Sequence, residues 1–585
     1  MKNYLKQGWR LFKDSIQYFH KGLKKNLFKE YLGAFVSGLA ANLGKFHFQL
    51  CRMKSDHRQD FLSLQDRIKG LHGLLPNCEK FHYSILIELE NPSQKLLHSC
   101  LTSLCRQTAP NLEILIGSKL PFSEKILQVI HELQSEYTTP IKLFDFSQEE
   151  RSKSVYNLLA DESKGNYLLF VANDDWIRPD LLYRYEQCLR TVRAPHKILI
   201  NCHENLMTEN GDYIPGSLRA KSKMHFPYIF HRHFDLRGML IPKELWKEVD
   251  GLHFAFSGAE VEDLMLRMDL ADANLMTIPF CLYSRRKLPM NLSQTDISLA
   301  AFIACLKEYG EKKDLNWNFE PGYLSNTVRG IPKNIKPHKI QVVIPFKEQK
   351  VLTLICIHSI LKQRGVNFQI TAVDNGSNDL SIAEAITQLR GEVLRIEEPF
   401  NYSRLNNLAV SRSKKGQECD LILFLNNDVE LDEDALAEMV RWIDQPSIGM
   451  VGARLHYPNG KLQHGGIVLK KHEFAEHLWW EHIEKWHSFA EMKETKKLAI
   501  VDALTAACAL MKKDVFLKIG GFDEIWYPIG FSDTSLAVKL NQIGLKCFYT
   551  PYAFGVHHES ITRREDKEEI EASRWLYEFT QNTKV

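Results

Sequence analysis

The chain has 585 residues with a globular balance of 44% hydrophobic and 25% charged side chains, too long for one core, so two or three domains are expected. No apolar run of about 18 residues or more appears, which excludes a spanning helix, and the twelve cysteines form no C-x-x-C pair, against structural zinc and a disulfide framework. The net charge of +3 is uneven: residues 1–58 hold twelve Lys and Arg against three acidic residues, a balance of +9 that leaves −6 for the rest.

With no recognisable basic reading domain, nucleic acid is excluded as a partner. The cysteine usage and the lack of a secretory signal pattern predict a cytoplasmic protein. In the opening arm, 1–80, Leu5, Trp9, Phe12, Ile16, Phe19, Leu23 and Leu27 recur at steps of four and three, one apolar stripe on a basic helix. Such a helix either lies peripherally on the inner face of an anionic membrane, through residues 1–58, or packs on protein.

From 81 to 290 and again from 339 to 565, apolar strand-like runs alternate with helix-like runs, which predicts two α/β domains with mainly parallel sheets. The two stretches share landmarks in one order. "HSCLTSLCRQ" and "LICIHSILKQ" are offset by 256, "NYLLFVANDD" and "DLILFLNNDV" by 253, and "SGAEVEDLMLRM" and "PIGFSDTSLAVKL" by 270. That is the signature of a duplicated domain. Residues 291–338 read as a helix and a Pro/Gly-rich linker, and 566–585 as a C-terminal helix or tail.

The second copy carries the chemistry. "IQVVIPF" and "FQITAVDNGSND" are strands ending near Pro345 and at Asp374, and ligands of open α/β sheets bind beyond the carboxyl ends of strands. "DLILFLNNDV" runs into Asn426, Asn427 and Asp428, hard oxygen donors suited to Mg²⁺ or Mn²⁺ beside a diphosphate, although an aspartate there also suits a helix N-cap. Asp533 falls at a helix start, where a carboxylate serves as general base. "GVHHES" ends a strand with His557 and His558, imidazoles fit for a metal. Trp479, Trp480 and Trp486 in "HLWWEHIEKWH" suit either sugar stacking or core packing.

The ordered series P-F-K, V-D-N-G-S-N-D, F-N-Y-S-R-L-N-N-L-A-V, F-L-N-N-D, Y-P-N-G-K-L-Q-H-G-G, T-A-A-C, G-G-F-D-E and H-H-E-S resembles family 2 glycosyltransferases of the GT-A fold. It looks most like tandem-domain members associated with bacterial polysaccharide and O-antigen assembly. The resemblance covers 339–562 strongly and 81–286 more loosely. It implies an inverting, metal-assisted hexosyl or deoxyhexosyl transfer from a nucleotide-sugar donor to a glycan or lipid-linked saccharide. It places Asp374, Pro345 and Lys347 at the base, Arg404 and Asn407 near the nucleotide, Asn426 and Asn427 beside the metal ligand Asp428, and Asp533 as base. One of His557 and His558 would complete the metal shell. Ser535 departs from the usual second aspartate.

The first copy reads as worn. Asn173, Asp174, Asp175, Glu262 and Asp263 survive as counterparts, but Ser118 stands for Asp374 and Ser284 for the histidine. This half is then either a retired domain or a second active site of a bifunctional enzyme. A glycan- or nucleotide-binding pseudoenzyme is the alternative for the whole chain.

Overall fold

The computed structural model describes residues 81–558, apart from 90–91, 110, 151–152, 215–216, 218–227, 231–233, 287–294, 326, 334, 470–474 and 478–494. The basic arm, the tryptophan segment 479–486 and the tail 566–585 therefore lie outside the described residues. The chain divides into two compact units, one of residues 1–225 and 232–309 and one of 226–231 and 310–585.

The first unit contains β1 (Tyr83–Glu88), β2 (Leu112–Ser118), β3 (Ile141–Asp145), β4 (Tyr167–Ala172), β5 (Trp176–Ile177), β6 (Ile198–Met207), β7 (Leu240–Pro242) and β8 (Asn274–Arg286). They form one sheet in the order β3-β2-β1-β4-β7-β6-β8-β5. The first four are parallel, β7 is antiparallel to both neighbours, and β5 is antiparallel to β8. Both sheet faces are covered, so β1 reads as an unbroken apolar run: Ile85 and Ile87 enter one core and Leu86 the other.

The second unit opens with the hairpin β9 (Trp317–Pro321) and β10 (Val328–Pro332). There follow β11 (Lys339–Phe346), β12 (Asn367–Asp374), β13 (Glu392–Arg395), β14 (Leu421–Leu425), β15 (Val429–Leu431), β16 (Ile448–His456), β17 (Leu462–His464), β18 (Ile467–Leu469), β19 (Ala475–His477), β20 (Ala499–Val501), β21 (Cys508–Lys512) and β22 (Lys546–His557). The main sheet runs β13-β12-β11-β14-β21-β16-β22-β15, strand for strand the order of the first unit. The tandem α/β architecture is thus present, with sheets that are mixed in their second half, where β6–β8 and β16–β22 pair in parallel among antiparallel neighbours.

The stretch read as a linker is folded. After the helix Thr295–Lys312, the β9–β10 hairpin packs on the helix Ala435–Ile443. Trp317 meets Trp442 edge-on at 5.6 Å, and Arg329 pairs with buried Glu438 at 2.7 Å while stacking 4.3 Å over Tyr552. Proline, glycine, lysine and asparagine are frequent in it, yet Trp317, Phe319 and Val328 supply enough apolar surface to hold it down.

Candidate active site

Three strand ends of the second unit carry the chemistry. Asp374 closes β12 and is buried. Its Oδ1 accepts from the Ser377 amide at 2.8 Å and its Oδ2 from Arg395 Nη1 at 2.6 Å. Pro345 lies beside it in β11, paired with Val373, and Lys347 is exposed just past the strand. Glu348 and Gln349 then adopt left-handed φ of 55° and 56°, a costly backbone for such residues. Two hydrogen bonds hold this loop against the turn after β12: Glu348 N to Ser377 Oγ and Asn378 N to Glu348 Oε1.

β14 ends at Leu425, and Asn426-Asn427-Asp428 bridges to β15. Asp428 is not a helix cap, because the next helix has Asp434 at its N-cap position, beyond β15. Asn427 Nδ2 donates to buried Thr353 Oγ1 at 2.9 Å. Antiparallel pairing sets Val429 against His557 and brings His557 Nε2 within 3.2 Å of Asp428 Oδ1. His557 Nδ1 is buried with no hydrogen bond among the described residues. His558 instead faces Glu430 at 3.4 Å, so the two histidines are distinguished by their strand faces. Two ligands bound side by side on one ion at about 2.1 Å sit roughly 3 Å apart, which the Asp428–His557 spacing matches. Among the described residues no group of three His, Cys, Asp or Glu side chains converges on one point.

Asp533 sits in the first turn of the helix Ser532–Gln542, where its Oδ1 accepts from Thr534 N at 2.7 Å. Its Oδ2 accepts from Ala506 N at 3.3 Å, and the neighbouring Ala507 carbonyl accepts from Asn426 N at 3.0 Å. One short turn, 505–507, thereby joins the putting-down point of β14 to the carboxylate of Asp533. Tyr402 donates to the Ala506 carbonyl at 3.0 Å. Its phenol is pushed well up by burial, and then by the carboxylates of Asp533 and Asp428.

Arg404 and Asn407 are both engaged within the fold. Arg404 pairs with Glu398 and with Glu524, and Asn407 clamps the backbone of Phe522 from both amide ends, at 2.9 and 3.0 Å. They hold the turn Gly520–Glu524, which feeds the helix of Asp533. Asp523 caps the next bend through Ile525 N and Trp526 N. Arg395 escaped sequence reading, since an arginine at a strand end carries no local signal; the 505–507 turn lies in the T-A-A-C motif, but its bonds to Asn426 and Asp533 show only in the fold.

The glycosyl transferase family 2 model matches residues 84–200 and 341–520, over half of the chain and in both units. The chain belongs to glycosyltransferase family 2. It is 28% identical over 518 residues to the O-antigen biosynthesis protein RfbC of Myxococcus xanthus, covering 84% of this chain and 38% of that one. It is 26% identical to the uncharacterized protein y4gI of Sinorhizobium fredii, over 84% of this chain and 54% of that one. The chain thus spans about half or less of the length of these relatives. A shorter match, 22% identical over 27% of this chain and 61% of the other, is to the rhamnosyltransferase WbbL of Escherichia coli. Among solved structures, GalNAc-T7 with UDP, GalNAc and Mn²⁺ aligns at 15% identity over 44% of this chain and 51% of that one, with a TM-score of 0.36.

Matching hydrogen bonds correct the correspondence between the two family 2 units. Cys100 Sγ donates to the Ala172 carbonyl as Cys356 Sγ does to that of Asn426, and Asp175 N bonds Ala172 O as Val429 N bonds Asn426 O. Asn173 therefore stands at Asn427 and Asp174, not Asp175, at Asp428. The helices Glu260–Leu270 and Ser532–Gln542 have equal length and matching end bonds, Asp263 N to Ala259 O as Ser535 N to Phe531 O and Ala273 N to Met268 O as Leu545 N to Leu540 O, which places Val261 at Asp533, Glu262 at Thr534 and Asp263 at Ser535. Arg285, not Ser284, takes the place of His557, since Arg178 N bonds Leu282 O as Asp432 N bonds Phe554 O. The sequence alignment slipped by one or two residues because a nearby acidic residue matched better than the true position.

The first unit's Asp175 is enclosed by its own neighbours. Asp175 is fully buried and accepts from Arg286 N at 2.8 Å and Tyr283 OH at 2.8 Å, with Arg237 at 3.5 Å. Burial pushes its carboxyl up to about 6. Arg286 also reaches the carbonyls of Asp174, Thr208 and Glu209 and the Ser99 hydroxyl. Ser118 occupies the Asp374 position, its carbonyl accepting from Phe146 as that of Asp374 accepts from Ile396.

Proposed function

We propose that the second unit is an inverting transferase that moves a hexosyl or deoxyhexosyl group from a nucleotide-sugar to a hydroxyl of a glycan or lipid-linked saccharide. The observation that carries this is the 505–507 turn, which sets Asp533 beside the strand end bearing Asp428. Asp374, Pro345 and Lys347 would receive the nucleoside. Asp428 and His557 would hold a divalent Mn²⁺ or Mg²⁺, which when bound offsets the charge of the diphosphate. Asp533 accepts the proton of the acceptor hydroxyl as that oxygen attacks the anomeric carbon. The bond from that carbon to the diphosphate breaks on the opposite face, so the configuration inverts.

The acceptor side falls to the bend before Asp533, where Ile525 and Trp526 are 82% and 73% exposed on a backbone pinned by Asn401, Ser403 and Asp523. Such a rigid aromatic face suits a sugar ring. In the first unit, Val261 cannot accept a proton and Arg285 cannot bind a cation, which supports a retired domain over a second active site. A surface polysaccharide as product is suggested by the relative named for O-antigen biosynthesis.

The test is a release assay with UDP-, GDP- and dTDP-sugars and Mn²⁺ or Mg²⁺, comparing wild type, Asp428→Ala and Asp533→Asn. Metal-dependent release of one nucleoside diphosphate, lost in Asp428→Ala, is expected. Equal release by both variants and wild type would refute this assignment.

A further inference from the structure

His464 ends β17 with its ring wholly buried, and no reading of the sequence gave it a role. Its Nε2 accepts the backbone N–H of Thr505 at 3.4 Å. Thr505 opens the turn that carries Asp533's donor at Ala506 and the carbonyl of Ala507, and its own Oγ1 accepts from Ala507 N at 3.3 Å. Upstream, the two backbones are already zipped. Ile467 and Ala503 exchange hydrogen bonds at 2.9 and 3.2 Å, and Leu469 N donates to Asp502 at 3.0 Å. The imidazole takes over where that ladder stops, one residue short of the amide that meets Asp533.

We infer that His464 is a positioning residue: its neutral ring, protonated on Nδ1, holds the 505–507 turn so that Ala506 N–H stays on the carboxylate of Asp533. A ring protonated on Nε2 would turn a donor against the Thr505 donor and release the turn. The first unit supplies a natural comparison. Its loop after β6 makes the same turn, Thr208 N to Asp212 O and Gly211 N to Thr208 O, as Tyr457 N to Lys461 O and Gly460 N to Tyr457 O. Counting on three residues puts Pro215 in sequence at the place of His464. The copy with valine at the base position thus also lacks the imidazole. This inference rests on Asp533 being the base.

The experiment uses the full chain and the donor found in the release assay, with water as acceptor. His464→Ala is expected to lower kcat about 10–100-fold with the donor KM little changed. The acid limb of its pH profile should move to higher pH, because a carboxylate that loses an N–H donor is protonated more readily. His464→Gln, whose Oε1 can accept from Thr505, should restore most of the rate and the wild-type limb. Nitrogen NMR of the wild-type ring should show the Nδ1–H tautomer, a measurement independent of how the variants fold. Equal losses in both variants with an unmoved acid limb, or an Nε2–H tautomer, would overturn this inference alone. Wild-type turnover from Asp533→Asn would overturn the base assignment, and the inference with it.

Discussion

Replacing Asn407 by alanine separates two jobs for one side chain: contact with the nucleotide, which the family resemblance implies, and clamping of the Gly520–Glu524 turn, which the geometry supports. The amide makes three hydrogen bonds there, to Phe522 O, Glu524 Oε1 and from Phe522 N. At about 0.5–1.5 kcal/mol net for each, with part-buried backbone groups left unpaired, the loss sums to about 2–4 kcal/mol. The amide sits tightly against this turn: Gly521 holds φ of +64°, and a Cβ there would stand 2.6 Å from the Asn407 oxygen. A unit of this size shifts by about 2–4 °C per kcal/mol, so the melting transition should fall by roughly 5–15 °C. Calorimetry measures that fall, and titration of the donor well below the transition measures affinity. Donor Kd should stay within about threefold, less than 1 kcal/mol. The first unit provides the control, since Asn157 clamps Leu252 through two bonds of 2.9 Å, and Asn157→Ala should melt that unit comparably. Wild-type melting of Asn407→Ala with a donor Kd weakened about tenfold or more would refute the clamp.

Asp175→Ala leaves Arg286, Arg237 and Tyr283 without their buried partner. It should cost about 3–5 kcal/mol on denaturant unfolding while donor release persists; a stable but inactive variant would make the first unit catalytic. Trp526→Ala should raise the acceptor KM about tenfold, roughly 1–2 kcal/mol of stacking, and leave donor release to water unchanged; an unchanged acceptor KM would remove the platform. His338 lies between Asp420 and Asp444, whose hydrogen bonds outweigh the effect of burial and raise its pKa, while theirs are lowered. The histidine's contribution is full below its unfolded value of about 6.5 and disappears as pH rises through the raised one. That of the aspartates is present above about 3.8 and is lost as pH falls through the lowered values. The unfolding free-energy gap between wild type and His338→Ala should therefore peak between about pH 4 and 6.5 and shrink in alkali; a gap constant with pH would exclude the bridge.

The sequence by itself determined the class of fold, its duplication and the family. Those follow from local chemistry: two-faced apolar strands, turns such as Asp374-Asn375-Gly376, and acidic residues at strand ends keep their spacing along the chain. It also carried the wear of the first copy at Ser118, where a serine ends the strand that ends in aspartate in the second. Which residue faces which was decided only in three dimensions. Asp174 rather than Asp175 matches Asp428, and Val261 rather than Asp263 matches Asp533, because strand register and helix phase decide position and a nearby carboxylate misleads an ungapped alignment. The β9–β10 hairpin was hidden because its stability comes from Trp442 and Glu438, more than a hundred residues away. Arg395 was hidden for the same reason, and His464, though it stands in the Q-H-G-G motif, showed no role: each acts through a partner that the chain brings close only when the sheet has formed.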